Sequence, residues 1–171
     1  VHLREDRRHI KDKYLIILSK FKKIPINLEL STNKKIINLA IKYKPKFICL
    51  VPEKRNEVTT EGGLNLRKNK KKISYIIKLF NKNKIRTSLF INPSIRDIRL
   101  CKIIGSKCIE LHTGKLSRLV KANKNFYLEL KKIKKCAKLA NSLGIDVHAG
   151  HGLDYKSTRL LSNIKEISEF N

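Results

Sequence analysis

The sequence predicts an α/β fold of the (β/α)8 TIM barrel class, and three observations lead to that prediction. Short apolar strand patterns alternate with amphipathic helix patterns along all 171 residues, which is typical of a parallel sheet with helices outside it. Neither an Asn-Gly hairpin signal nor a G-x-G-x-x-G fingerprint is present. Polar residues lie at or just after the end of nearly every strand pattern. In a (β/α)8 barrel all strands contribute such residues to one mouth, whereas an open sheet gathers its ligand groups at one switch point. This distribution favours a barrel whose strand ends form one mouth.

Seven stretches have the pattern of strands, either alternating with period two or continuously apolar. They start near residues 1, 26, 47, 85, 108, 145 and 167. A complete barrel takes about 250 residues, and this chain begins on Val1 and contains no methionine. We therefore expect a fragment: a single domain over residues 1–171 from which one or two strand–helix units of the barrel are missing and whose last strand is cut short.

Helix patterns fill the intervals between the strands. The apolar spacing predicts helices over residues 10–21, 36–43, 94–104, about 126–143 and 158–164, and a lysine-rich helix that runs through Ile73, Ile76, Ile77 and Phe80. Ser31 and Thr32 offer N-caps for the second of these helices. Gly105 and Gly144 follow two others, in the position that favours a left-handed C-cap.

Composition bounds the class of protein. The net charge of +26 raises the possibility of a nucleic-acid partner, but the lysines are spread over helix patterns such as 68–72 and 131–135, without interleaved aromatic residues. We expect no nucleic-acid partner and read the lysines as solvated surface. The four cysteines are scattered, which is typical of buried thiols in a reducing compartment. No apolar run approaches the roughly 18 residues of a membrane span, so we expect a cytoplasmic protein without a membrane partner.

Histidines, carboxylates and one arginine converge at the predicted mouth of the barrel. The set is His2, Arg4, His9, Glu29, Thr59, Glu110, His112, His148 and His151. Histidine and glutamate are also zinc ligands, but no H-E-x-x-H spacing is present. Acid–base chemistry fits the set better, because histidine exchanges protons near neutral pH and a carboxyl group in a dry site can join it.

Two glycine-containing segments follow predicted strands. Residues 59–63, Thr-Thr-Glu-Gly-Gly, supply hydroxyls and backbone amides suited to a phosphorylated ligand or to a lid. Residues 150–152, Gly-His-Gly, place a histidine where backbone can closely approach a ligand. Either segment could also be an ordinary turn.

Seven blocks of the sequence, taken together and in order, resemble the pyridoxine 5'-phosphate synthase family of vitamin B6 biosynthesis. The blocks are VHLREDRRHI (1–10), NLE (27–29), CLVPEKR (49–55), VTTEGGL (58–64), SLFI (88–91), IELHTG (109–114) and AGHGL (149–153). The resemblance implies a (β/α)8 barrel that assembles as a homo-octamer in its full-length form. It also implies an enzyme that condenses 3-amino-2-oxopropyl phosphate with 1-deoxy-D-xylulose 5-phosphate to pyridoxine 5'-phosphate, phosphate and water, with no metal or organic cofactor.

The resemblance also assigns roles to single residues. It makes His2 and Glu29 general bases, His151 a proton donor and Glu110 the residue that stabilises charge in the transition state. Four further residues are expected to hold the phosphorylated substrates: Arg4, His9, Thr59 and Gly152. Several proton transfers in alternating directions are needed to close and aromatise a pyridine ring, which agrees with two bases and an acid around one mouth.

Three features depart from the family pattern. The family's first strand, which carries substrate-contacting Asn and Asp residues, and the Gly-His pair after its last strand are not in this sequence, and His148 stands where the family usually has Asn. We therefore leave two alternatives open: an inactive remnant of the barrel enzyme, and a basic nucleic-acid-binding module.

Overall fold

The computed structural model describes residues 1–21, 23–53, 57, 59 and 62–171. Within them, helices and strands alternate along the chain. The helices are α1 Asp12–Lys20, α2 Lys34–Tyr43, α3 Leu66–Lys82, α4 Ile95–Ile103, α5 Gly114–Lys121, α6 Tyr127–Ser142 and α7 Tyr155–Leu161. The strands are β1 Asn27–Leu30, β2 Phe47–Leu50, β3 Arg86–Ile91, β4 Cys108–His112, β5 Asp146–Gly150 and β6 Ile167–Phe170.

The six strands form one parallel sheet in the order β1-β2-β3-β4-β5-β6. Consecutive strands are neighbours throughout, as expected when each strand returns through a helix to the next position. The sheet is curled, because Glu29 of one edge strand and Asn171 beyond the other line the same cavity. The predicted α/β class with a parallel sheet is confirmed, and the structure shows it as a curled half-barrel.

The two faces of the sheet differ in character. Between sheet and helices lies the large apolar core, which includes Leu28, Leu89 and Ile109. A small apolar group, Cys49, Val51 and Phe90, packs separately. It shares the concave face with polar side chains of the strands, among them Glu29 and Glu110. Period-two alternation along the strands produces this division, and the concave face is where chemistry is available.

The first predicted strand is only partly formed. His2 makes a single parallel bridge with Glu29, supported by hydrogen bonds from Leu3 N to Glu29 O (3.0 Å) and from Glu29 N to Val1 O (2.8 Å). The other six strand predictions are confirmed, with boundaries shifted by one or two residues.

Three local predictions need correction. The N-cap of α2 is Asn33, whose side chain accepts from Lys35 N, because Ser31 and Thr32 donate their hydroxyls to Glu5 and Glu57 instead. Helix α5 was not predicted, and α7 begins at Tyr155 rather than Thr158. Gly105 and Gly144 do follow helices with left-handed φ values of +83° and +70°, as predicted.

All four cysteines are free and buried, as predicted. Burial raises the pKa of the Cys108 thiol to about 12 and that of Cys136 to about 11, so both stay protonated. In the described part of the chain, no helix is both long and apolar enough to cross a membrane.

Candidate active site

A cavity of about 660 Å³ opens where the carboxyl ends of the strands meet, and we call it the mouth cavity. Seven of the eight residues given roles above line it: His2, Arg4, His9, Glu29, Glu110, His151 and Gly152. They come from both edges and the centre of the sheet, because every parallel strand directs its carboxyl end to the same side. The structure brings these residues together, and their individual roles stay predictions.

His2 lies between two carboxylates. Its Nδ1 is 3.5 Å from Oε2 of Glu29, and its Nε2 is 3.1 Å from Oε1 of Glu53. The backbone bridge between His2 and Glu29 fixes the first of these neighbours. Glu53 comes from the segment directly after β2 and is 6% exposed at its side chain. An imidazole flanked by acceptors on both nitrogens is well placed to take up and release a proton.

The loop of residues 4–9 keeps its shape through its own charged groups. Arg7, with a positive φ of +58°, donates from Nη1 to the carbonyl of Arg4 at 2.7 Å and from Nε to Asp12 at 2.6 Å. Its guanidinium is thus used inside the loop, whereas Arg4 and His9 line the mouth cavity. A guanidinium and an imidazole at the rim are groups that bind phosphate.

Glu110 is the buried carboxylate of the mouth cavity, 5% exposed on β4. Its Oε2 accepts a 2.6 Å hydrogen bond from the side-chain amide of Asn171. Burial raises the pKa of Glu110, the hydrogen bond from Asn171 opposes this effect, and the charge of Glu29 adds to it. A carboxyl group whose pKa is raised in this way can exchange protons or respond to charge that develops beside it.

Gly150 makes room for Glu110. An ideal Cβ built on Gly150 would lie 2.2 Å from Oε1 of Glu110 and 2.9 Å from its Cδ. A side chain at this position would force the carboxylate of Glu110 to move, so the glycine permits the close approach of Glu110 to β5.

His151 sits in a strained turn among aromatic rings. Its φ is +83°, a conformation that non-glycine residues rarely adopt. The hydroxyl of Thr113 donates to the carbonyls of Gly150 (2.6 Å) and His151 (2.9 Å) and so holds the turn. The His151 ring lies 4.7 Å from the ring of His112 and 6.0 Å from that of Phe90, measured between centroids. The strain is located where the resemblance expects the proton donor.

His112 is held in one state by the backbone. Its Nδ1 accepts a 3.1 Å hydrogen bond from the amide of Gly114, which an imidazolium nitrogen cannot do. His112 is therefore neutral while this bond is made, with its proton on Nε2. The ring also packs against Phe90, 4.9 Å between centroids. It serves as a wall beside His151 rather than as a charged group.

Thr59 does not line the mouth cavity. It borders a separate cavity of about 720 Å³ next to the first turns of α3 and α4. Its hydroxyl accepts a hydrogen bond from the side-chain amide of Asn92, at the end of β3. The neighbouring Thr60 and Glu61 of the predicted glycine loop lie outside the described residues. The binding role of Thr59 stays a prediction.

His148 was expected at the mouth and lies elsewhere. It occupies the middle of β5 and is 1% exposed, because the strand continues to Gly150 before it ends. Its Nε2 is 3.4 Å from Nη2 of Arg86, 3.4 Å from Oε1 of Glu169 and 3.3 Å from Sγ of Cys108. Burial lowers the pKa of His148, and the carboxylate of Glu169 opposes this effect.

The residues that could hold a metal are dispersed. Within residues 1–21, 23–53, 57, 59 and 62–171, no group of three or more His, Cys, Asp or Glu side chains is arranged for one ion.

Two contributors were not given roles from the sequence. Glu53 and Asn171 hydrogen-bond to His2 and Glu110, respectively. Asn171 follows β6 directly and Glu53 lies three residues after β2, so the rule that strand ends carry function points to both. Their partners are 51 and 61 residues away, which no local pattern reveals.

The parallel strands direct histidines and carboxylates into one cavity at their carboxyl ends. This arrangement is typical of enzymes that are built on barrel-like α/β folds. Comparison with solved structures agrees on the fold alone. The EAL domain of Xanthomonas citri FimX, crystallised in complex with c-diGMP, matches with a TM-score of 0.62 at 9% identity, covering 90% of this chain and 61% of that one.

Comparison of sequences gives the family. The model of the pyridoxal phosphate biosynthesis protein PdxJ family matches residues 1–171. The chain is 63% identical over 171 residues to the pyridoxine 5'-phosphate synthase of Pelagibacter ubique (strain HTCC1062), covering 100% of this chain and 72% of that protein. The synthase of Bdellovibrio bacteriovorus is 42% identical over 171 residues, covering 100% of this chain and 70% of its own length. The chain therefore belongs to the PdxJ family.

Proposed function

We propose that the protein containing this chain is a pyridoxine 5'-phosphate synthase, and that this chain supplies the residues of its active site described above. The reaction would condense 3-amino-2-oxopropyl phosphate with 1-deoxy-D-xylulose 5-phosphate to pyridoxine 5'-phosphate, phosphate and water. One observation carries the proposal: in a chain 63% identical to a synthase of that name, the proposed bases, the proposed acid and three of the four proposed substrate-binding residues line one cavity.

The proposed roles divide the mouth cavity into two sides. His2 and Glu29, 3.5 Å apart, would remove protons as the amine and the ketone join. His151 would return a proton to a leaving group, and Glu110 would stabilise charge in the transition state. Bases and acid on separate strands allow proton removal and delivery at different atoms of one bound intermediate.

The two phosphates of the substrates need cationic and amide partners. Arg4 and His9, on the loop of residues 4–9, would bind one phosphate group. Gly152, with a left-handed φ of +74°, would offer a backbone amide at the opposite side of the cavity. Thr59, the fourth proposed ligand, borders the neighbouring cavity together with Asn92, to which it is hydrogen-bonded. The proposed reaction uses acid–base groups alone and no metal or organic cofactor.

The architecture is part of the proposal. We propose that the curled sheet belongs to a (β/α)8 barrel and that the full-length protein is a cytoplasmic homo-octamer without nucleic-acid or membrane partners. Light scattering of the full-length protein tests the assembly, because an octamer has eight times the mass of the chain.

Complementation tests the proposed function. A bacterial strain that lacks its own pyridoxine 5'-phosphate synthase should grow without added pyridoxine when it expresses the protein that contains this sequence. Glu29→Gln should abolish growth, and Glu166→Gln, the same change outside the mouth cavity, should not. A folded wild-type protein that gives no growth would contradict the proposal and favour the inactive remnant.

A further inference from the structure

We infer that Glu53 is a positioning residue that fixes the tautomer of His2 and ties the loop of residues 4–9 to it. The inference rests on the proposed function, because a fixed tautomer has a consequence only if His2 transfers protons. Glu53 itself faces His2 and the loop rather than substrate, since it does not line the mouth cavity.

The tautomer follows from the two contacts of the His2 ring. A neutral imidazole has one N–H donor and one acceptor nitrogen, and an ionised carboxylate only accepts. The 3.1 Å contact between Nε2 and Oε1 of Glu53 is a hydrogen bond, so it places the proton on Nε2. The 3.5 Å contact between Nδ1 and Glu29 is longer. Nδ1 is therefore the nitrogen left to accept a proton.

Burial makes Glu53 the stronger of the two carboxylate partners. Its side chain is 6% exposed, against 38% for Glu29. A hydrogen bond to a carboxylate that water does not reach is less screened than one at the surface. Glu29 is accessible to the cavity, where a base has to be, and Glu53 is shielded behind His2.

The second carboxylate oxygen of Glu53 holds the loop of residues 4–9. Its Oε2 accepts a 2.8 Å hydrogen bond from the backbone amide of Glu5. The Glu5 carboxylate is in turn hydrogen-bonded by Ser31 Oγ and by Asn33 Nδ2, both at 2.9 Å. One carboxylate thus sets both the orientation of His2 and the position of the residues beside Arg4. Proton acceptor and phosphate ligand are coupled through it.

The isosteric change Glu53→Gln gives a sharp test, because the amide of Glu5 can only donate. The carbonyl oxygen of the introduced Gln must face the amide of Glu5, so the NH2 group of that Gln must face Nε2 of His2. An NH2 group cannot accept a hydrogen bond from Nε2–H. His2 should then carry its proton on Nδ1. An equivalent wrong-tautomer change beside a catalytic histidine lowers turnover by about 10⁴-fold, and we expect kcat to fall by about 10²- to 10⁴-fold with a smaller change in KM.

The tautomer is measured by ¹⁵N NMR of the histidine rings, at about pH 8.5, above the ordinary imidazole pKa of about 6.5. The His2 signals are assigned by their loss in His2→Asn. Wild-type protein and Glu29→Gln should show Nε2–H, and Glu53→Gln should show Nδ1–H, with the His112 signals unchanged as an internal sign of correct folding.

Two results would overturn the inference. One is a wild-type His2 that is not in the Nε2–H form, which needs no variant. The other is a folded Glu53→Gln protein in which His2 keeps Nε2–H. Because the tautomer is observed without substrate, a protein that forms no pyridoxine 5'-phosphate would contradict the proposed function and leave the NMR result intact.

Discussion

The side-chain amide of Asn171 donates a 2.6 Å hydrogen bond to the carboxylate of Glu110, across the gap between the end of β6 and the middle of β4. The bond partly offsets the burial that raises the pKa of Glu110. A buried carboxylate whose donors, Asn171 and Cys49, are neutral groups is costly for folding and useful for chemistry, and this conflict leads to the first prediction.

Glu110→Gln should stabilise the fold at neutral pH and lower activity. Because the folded pKa of Glu110 is raised above its ordinary value of 4.5, the folded protein binds more protons than the unfolded one between the two values. The associated stability is lost as pH rises through the folded pKa, so the ionised side chain is a net cost at pH 7. Urea unfolding at pH 7 should show a higher midpoint, and turnover should fall about 10²- to 10³-fold. A lower midpoint would contradict the account.

Gly150→Ala should destabilise the protein by about 1–3 kcal/mol, as overpacking does. The added methyl group would meet Oε1 of Glu110 at 2.2 Å. In Glu110→Ala, that oxygen is gone and the nearest remaining contact is the Cβ of Asn171 at 3.2 Å. Gly150→Ala should therefore cost much less in the Glu110→Ala background. Equal costs in the two backgrounds, measured by a double-mutant cycle, would show that the clash is not with Glu110.

His148 should make the protein sensitive to mild acid. Because its folded pKa is lowered below the ordinary 6.5, the unfolded chain binds more protons, and stability falls as pH drops from 6.5 toward the folded pKa. His148→Asn, which removes the titrating group, should flatten the decrease in unfolding free energy between about pH 7.5 and pH 5. The groups that face it, Arg86, Glu169 and Cys108, are unchanged in that comparison. Identical pH profiles would contradict this assignment.

Asn33→Ala should cost about 1 kcal/mol, the usual value of an N-cap. Its side chain accepts from Lys35 N at 2.9 Å and also donates to Glu5. Asn38→Ala, the same change at an exposed position inside α2, should be neutral or slightly stabilising because alanine has the higher helix propensity. Thermal unfolding of both variants provides the comparison. Equal changes in their unfolding free energies would show that Asn33 is not the N-cap and would favour Ser31 or Thr32.

The fold was predictable where local pattern decides it. Apolar alternation located the six strands, and glycines located helix ends at Gly105 and Gly144. Helix α5 was missed because it starts on Gly114, lacks a side-chain cap at Thr113 and is stabilised by burial of residues such as Leu116, which the sequence does not reveal. Asn33, Ser31 and Thr32 are all good N-caps, and tertiary hydrogen bonds decide among them.

The candidate site was predictable as a set of residues and not as a set of contacts. The rule that barrel strands carry function at their carboxyl ends selected Glu29, Glu110 and His151. It misplaced His148, because a strand pattern does not say at which residue the strand ends. It could not pair His2 with Glu53, since that hydrogen bond depends on how β2 lies beside β1.

The measurement that tests the central claim most directly is product formation from the two proposed substrates. The purified protein that contains this sequence is mixed with 3-amino-2-oxopropyl phosphate and 1-deoxy-D-xylulose 5-phosphate, and pyridoxine 5'-phosphate and phosphate are quantified together. We predict equal amounts of both products, their loss in Glu29→Gln, and wild-type amounts in Glu166→Gln. A folded wild-type protein that forms neither product, or a Glu29→Gln variant with wild-type turnover, would contradict the assignment of the mouth cavity as the active site.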